Sequence, residues 1–324
     1  MSKSVLVTEP IIPSVIDKLK QQYRVAVGER GTYDQEQALI RDIPQYNAIL
    51  PMLSNPITEK VIAAGENLQI VANHAVGFNN IDLEAAEKHG VFVANTPGVL
   101  TESCAEFTMG LMISVCRHFV EAQQYLLDGK FKNWEPLGFL GKELQGSTLG
   151  IVGMGRIGQA VARRAHAFGM NILYHNRNKV AADIENQIQS TYCATLEELA
   201  KKSDVVTLHC PLTDETHHLI DKNILSIMPD DAILINTARG PVVDEAALAD
   251  ALHNGIIGGA GVDVFENEPD VHPKLQTAPH CLLTPHMASA SYQTREAIGM
   301  MAADAIIGIL ENHPKSDIPN LIQA

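Results

Sequence analysis

LGIVGMGRIGQAVARRAHAFGMNILYHNR, Leu149 to Arg177, sets the architecture of this 324-residue chain. Leu149 to Val152 is an apolar run too short for a helix and bounded by glycine, which predicts a buried strand. Gly153, Gly155 and Gly158 follow at the spacing G-x-G-x-x-G. A helical pattern begins at once, with Ile157, Val161, Ala165 and Phe168 on one face, and Asn171 to Tyr174 reads as a second strand. Strand, glycine turn, helix and strand within about thirty residues is the context that a dinucleotide-binding βαβ unit requires. Gly153 permits the tight turn, Gly155 lets backbone approach a pyrophosphate, and Gly158 lets the helix lie close on the strand. The helix N-terminus then offers unpaired N–H groups and a positive dipole end to the phosphates.

The end of the second strand bears on which dinucleotide. NAD sites usually carry Asp or Glu about 20 residues after the glycines, bonded to the ribose 2′-hydroxyl. Here the strand ends in His175, Asn176 and Arg177, and no acid follows until Asp183. A carboxylate would repel a 2′-phosphate, whereas Arg binds one bidentately. The expected cofactor is NADP(H), with Arg177 the main phosphate ligand and Asn176 assisting; NAD(H) is the second possibility.

The length suits two domains. No apolar run reaches the length of a membrane span, and the N-terminus passes straight into a strand without a signal-peptide pattern. A net charge of −14 without a basic block argues against nucleic acid or an anionic membrane as partner. Cys104, Cys116, Cys193, Cys210 and Cys281 are scattered, odd in number and without C-x-x-C, which suits a reducing cytoplasm. With no H-E-x-x-H and only His217 and His218 adjacent, no metal site is expected.

Residues 1–98 alternate strand-like and helical runs, from Ser4–Thr8 through Val91–Ala94, which implies a parallel sheet covered on both faces. His74 to Asn80 forms an irregular loop directly after a strand. Asn95-Thr96-Pro97-Gly98 marks a domain boundary. Beyond it, Thr101 is a plausible N-cap for one long helix to about Leu127, with Leu111, Val115, Phe119, Ala122 and Leu126 in register. Phe131 to Gly146 is a connector that holds the only tryptophan, Trp134. Further strands are expected at Asp204–His209, Ala232–Asn236, Gly258–Val264 and Cys281–Thr284. The last helix spans about Ser291–Glu311, with Ile298, Ala302, Ala305, Ile306 and Ile309 along one face.

Three polar residues sit just beyond consecutive strands: Arg239, Glu268 and His286. Singly they have bland readings, a loop charge, a solvated acid and a loop histidine. Together, at the carboxyl ends of strands where open α/β sheets bind ligands, they fit hydride transfer to a 2-oxo acid. His supplies the carbonyl's proton, a carboxylate on its other ring nitrogen orients it, and Arg binds the substrate carboxylate. The backbone N–H groups of Ala75 to Asn79 can complete that carboxylate clamp.

Over nearly its whole length the chain resembles the D-isomer-specific 2-hydroxyacid dehydrogenases. The carrying segments are A-V-G-F-N-N-I-D from Ala75, N-T-P-G-V-L-T-E from Asn95, L-G-I-V-G-M-G-R-I-G from Leu149, H-C-P-L-T from His209, N-T-A-R-G from Asn236, G-V-D-V-F-E-N-E-P from Gly261 and T-P-H-M-A-S-A from Thr284. The resemblance implies Arg239, Glu268 and His286 as the catalytic set and two doubly wound parallel-sheet domains. A Rossmann cofactor domain, 99–287, would be inserted in a flavodoxin-like substrate domain of 1–98 with 288–324. Expected cofactor contacts are Gly153, Gly155, Arg156, Ile157, Gly158, Asn176, Arg177, Cys210, Pro211, Thr237 and Ala238, with Asp263 near the nicotinamide amide. Expected substrate contacts are Leu53, Val76, Gly77, Arg239, His286 and Trp134.

Within the family the chain is most similar to the glyoxylate/hydroxypyruvate reductase branch. Formate dehydrogenases carry Gln where this chain has Glu268, and phosphoglycerate dehydrogenases place Arg near Pro51–Ser54, where none is present. The resemblance implies a homodimer through the cofactor domains, with Trp134 either reaching the partner's pocket or packing in the dimer core. A 2-ketogluconate reductase or another D-2-hydroxyacid dehydrogenase is the alternative enzyme, and a nucleotide-sensing corepressor-like binding protein the alternative of another class.

Overall fold

The computed structural model describes residues 3–322. It divides into two units, Met1–Leu100 with Ala290–Ala324, and Thr101–Ser289.

The first unit holds six strands: β1 (Ser4–Val7), β2 (Arg24–Val27), β3 (Ala48–Leu50), β4 (Ile70–Ala72), β5 (Phe92–Ala94) and β13 (Leu321–Ile322). The first five are parallel, and β13 adds antiparallel to β5 in the order β13-β5-β4-β3-β1-β2. β3 and β4 are buried along their whole length, as strands covered on both faces must be. The last helix, Tyr292–Leu310, is capped by the Ser291 side chain on the Thr294 N–H. It buries Ile298, Ala302, Ala305, Ile306 and Ile309, and the last four pack with Val5, Val7, Leu50 and Ile70 of this sheet.

The second unit is a seven-stranded parallel sheet of β6 (Thr148–Val152), β7 (Asn171–His175), β8 (Ser190–Tyr192), β9 (Val205–Leu208), β10 (Ile233–Asn236), β11 (Gly259–Val262) and β12 (Cys281–Leu283). Its order is β12-β11-β10-β9-β6-β7-β8. The chain winds outward from β6 on one side and from β9 on the other. The crevice between their carboxyl ends is therefore the topological switch point where such sheets bind ligands.

Two expectations about helices are corrected. The helix expected from Thr101 to Leu127 is two helices, Thr101–Cys116 and Phe119–Leu127, broken at His118, which has left-handed backbone (φ 53°). Leu111 and Val115 are buried, but Phe119 and Leu126 beyond the break are exposed. Phe168 caps the end of the glycine-turn helix Arg156–Ala167 and is half exposed, whereas Ala160, Val161, Ala162 and Ala165 are its buried face.

The three glycines of the fingerprint have distinct local reasons. Gly153 has φ 97°, a conformation that side chains rarely adopt. A Cβ on Gly158 would overlap the Gly153 carbonyl, so helix and strand end can approach only there. A Cβ on Gly155 would meet nothing within 4 Å. Gly158→Ala is therefore expected to destabilise the unit by about 1–3 kcal/mol through overpacking, and Gly155→Ala to leave stability nearly unchanged. Thermal unfolding of the two variants checks this, and equal melting temperatures would contradict it.

Candidate active site

β10, β11 and β12 are neighbours, and the loops after them carry the three residues expected to do chemistry. His286 Nδ1 lies 2.8 Å from Glu268 Oε2. A carboxylate can only accept, so Nδ1 carries the proton there and Nε2 is left to face a ligand. The other Glu268 oxygen accepts from the Phe265 N–H at 3.1 Å. Burial raises the Glu268 carboxyl, but His286, the Phe265 N–H and the charge of Arg239 together outweigh it and hold the group below the usual range. Glu268 thus stays ionised at neutral pH. The Arg239 guanidinium is half-buried beside it and donates to the Ala238 carbonyl at 2.7 Å.

Each loop is fixed from beneath. Asn236, at the end of β10 and nearly fully buried, accepts from the Ala238 N–H and donates to the Arg239 carbonyl, both at 3.0 Å. A Cβ on Gly240 would overlap the Phe265 carbonyl, so glycine lets the loop after β10 pack on the loop after β11. Asp263 is fully buried. Its carboxylate accepts from Thr284 Oγ1 at 2.7 Å and from the Met287 and Ala288 N–H groups at 2.8 Å. The His286 N–H donates to the Asp263 carbonyl at 2.8 Å. This lattice holds His286 in left-handed backbone (φ 49°). Asp263, expected near a nicotinamide amide, is observed as the residue that shapes the His286 loop. Sequence reasoning passed over Asn236 and Gly240. The available signal was an asparagine at a strand end, a residue that favours turns bonded to its own backbone.

At the switch point a cavity of about 450 Å³ is lined by Gly153, Gly155, His175, Asn176, Arg177, Cys210 and Pro211, among others. Open space over Gly155 and a glycine turn at the helix start fit a bound pyrophosphate. Arg156 and Ile157 open that helix. Burial pushes the Cys210 thiol up to about 11, so it is a neutral wall of the cavity. Thr237 is hydrogen-bonded to Thr108, 3.0 Å between hydroxyls, and Ala238 is buried. The Asn176 side-chain oxygen accepts from the Met154 N–H at 2.7 Å, so the residue braces the glycine turn at the edge of this cavity. Arg177 is exposed and makes no ion pair among the described residues. Glu215 lines the same cavity, accepts from Thr213, and lies within electrostatic reach of Arg177.

Leu53, Val76 and Gly77 belong to the first unit. Asn73, fully buried, donates to the Gly77 carbonyl at 2.7 Å, and Asn95 donates to the Val76 carbonyl at 2.8 Å. The Ala75 carbonyl accepts from the Thr96 N–H. The carbonyls are thus turned into the protein, while the N–H groups of Val76 and Gly77 make no hydrogen bond among the described residues. Asn80 donates to the Met52 and Asn55 carbonyls, which ties the turn carrying Leu53 to this loop. Trp134 is 80% exposed.

Residues 109–288 match the NAD-binding domain of the D-isomer-specific 2-hydroxyacid dehydrogenases. A glyoxylate reductase of Thermococcus onnurineus is 42% identical over 311 residues, 95% of this chain and 92% of that protein. A protein of Thermus thermophilus superposes with a TM-score of 0.92 at 40% identity, covering 99% of this chain and all of its own. The NADPH-dependent glyoxylate/hydroxypyruvate reductase of Sinorhizobium meliloti, solved with NADP and malonate, gives 0.84 at 34% identity over the full length of both. With the cofactor half matched to a family and the whole length matched to its relatives, the chain belongs to the D-isomer-specific 2-hydroxyacid dehydrogenases.

Proposed function

We propose that this protein is an NAD(P)H-dependent reductase of small 2-oxo acids, glyoxylate or hydroxypyruvate, that yields the 2-hydroxy acid, of D configuration where C2 is stereogenic. The observation that carries this reading is the His286–Glu268 pair, 2.8 Å apart, with Arg239 beside it at the ends of three adjacent strands. When bound, the reduced nicotinamide supplies a hydride to the carbonyl carbon. His286 Nε2 gives a proton to the carbonyl oxygen, and Glu268 orients the ring through Nδ1. Arg239 binds the substrate carboxylate, and the unbonded N–H groups of Val76 and Gly77 are donors of the kind that suit a carboxylate. The absence of Arg from Pro51–Ser54 suits a short, unphosphorylated acid.

NADP(H) is the preferred cofactor in this reading, because Arg177 stands exposed where strand-end acids stand in NAD sites. Glu215, which lines the same cavity within electrostatic reach of Arg177, opposes a 2′-phosphate and keeps NAD(H) usable. A second copy of the chain covers Phe119, Leu126, Phe131, Trp134, Leu137 and Leu140, an exposed apolar series too long for a solvated surface. Its assembly as a homodimer through the cofactor unit follows. The five cysteines, all free, suit a reducing cytoplasm.

NADPH oxidation with glyoxylate and hydroxypyruvate, set against 2-ketogluconate and 3-phosphohydroxypyruvate, tests the substrate class. No turnover with any of them would favour a nucleotide-sensing binding protein instead. Arg177→Ala is expected to weaken NADPH binding by about 1.5–3 kcal/mol, the value of a hydrogen bond to a charged group, with little effect on NADH. An equal loss for both cofactors would remove Arg177 from the phosphate site.

His286→Ala is expected to lower kcat by about 10² to 10⁴-fold with NADPH binding intact. Glu268→Gln keeps a hydrogen-bonding group but removes the charge. The contact and charge of His286 help hold the Glu268 carboxyl low, so kcat for reduction is expected to fall, by less than the His286→Ala loss, with NADPH binding intact. A kcat equal to that of the wild type would show that the pair does not act as a relay.

A further inference from the structure

We propose that His118, Glu121 and His280 form a binding site for one divalent transition ion, with Zn²⁺ the ion that their donors suit. The break between helices Thr101–Cys116 and Phe119–Leu127 carries His118, and Glu121 stands in the first turn of the second helix. His280 immediately precedes β12, 159 residues from Glu121 in sequence. One ligand atom from each of the three lies within 4.8 Å of the other two. His280 Nδ1 and Glu121 Oε1 are already 3.3 Å apart. Two donors on one tetrahedral zinc, at bond lengths of about 2.0–2.1 Å, are separated by about 3.3 Å, so the set closes on an ion with small side-chain rotations. The two imidazoles meet edge-on, centroids 5.0 Å apart and planes at 62°.

The donor chemistry selects the ion. Two imidazoles and a carboxylate suit zinc and its neighbours, whereas calcium and magnesium require six or more oxygens. Cys116, two residues from His118, is buried in the core and is not among the three clustered donors. The His280 and Glu121 side chains are 51% and 39% exposed, so solvent reaches the site and a fourth position stays open. Both histidines stand on left-handed backbone, φ 53° and 51°. A bound ion would tie the helix break to the segment that leads into β12, apart from Arg239, Glu268 and His286.

The test is calorimetric titration of the chelator-stripped full chain with Zn²⁺ alone, beside His280→Asn and Glu121→Gln. Asparagine tolerates the left-handed turn, so the first variant is expected to fold, and circular dichroism checks both. One ion per chain with an affinity on the order of micromolar is expected. Each variant should lose at least about tenfold, the lower bound for removing a mere outer-shell partner. Anomalous scattering at the zinc edge from zinc-soaked wild-type crystals should give a peak among the three residues, whatever the variants do. No binding at micromolar Zn²⁺, binding unchanged in both variants, or a peak only elsewhere would overturn the proposal.

Discussion

The buried carboxylate of Asp263 is the contact on which the chemical end of this molecule depends. Three donors from residues 284–288 converge on it, and its own carbonyl takes the N–H of His286. Burial raises this carboxyl above its usual range, and the Met287, Thr284 and Ala288 donors offset only part of that rise. Taking the carboxylate away would leave those donors unpartnered, at a cost on the order of 1–3 kcal/mol for each buried one. The position of the His286 ring, and through it the pairing with Glu268, is set by this lattice before any ligand arrives.

The same economy appears in the first unit. Asn73 and Asn95 consume the carbonyls of the Val76–Gly77 loop, and what remains is a pair of N–H donors. A protein with net charge −14 has no general attraction for anionic acids. Anion affinity in such a protein has to be built locally, from single cations and oriented amides, rather than from a field over the surface.

Much of this was legible in sequence because period and punctuation agree there. The glycine turn, the alternation of β and α, and the three residues beyond strand ends follow from spacing alone. The break at His118 was hidden because Phe119, Ala122 and Leu126 continue the helical register of Leu111 and Val115, although they face solvent. Apolar residues that await a partner surface look the same in sequence as those that fill a core. β13, two residues long, is too short for any pattern, and β8, Ser-Thr-Tyr, has no apolar run to mark it. The bracing of the glycine turn by Asn176 was not legible, since a side chain's turn toward Met154 is decided by the fold of the loop. Gly240 gave no signal, because the loop it admits comes from Phe265, twenty-five positions away.

The placement of β13 and helix Tyr292–Leu310 in the first unit has a consequence for the timing of synthesis. The sheet of that unit lacks its last strand, and its core lacks Ala302, Ala305, Ile306 and Ile309, until residues 290–322 leave the ribosome. The second unit, Thr101–Ser289, is by then fully translated. Nascent domains generally mature from the N-terminus onward. This chain reverses that order: the inserted unit can close first, while the segment made earliest stays exposed the longest and has the greater need of a chaperone's cover.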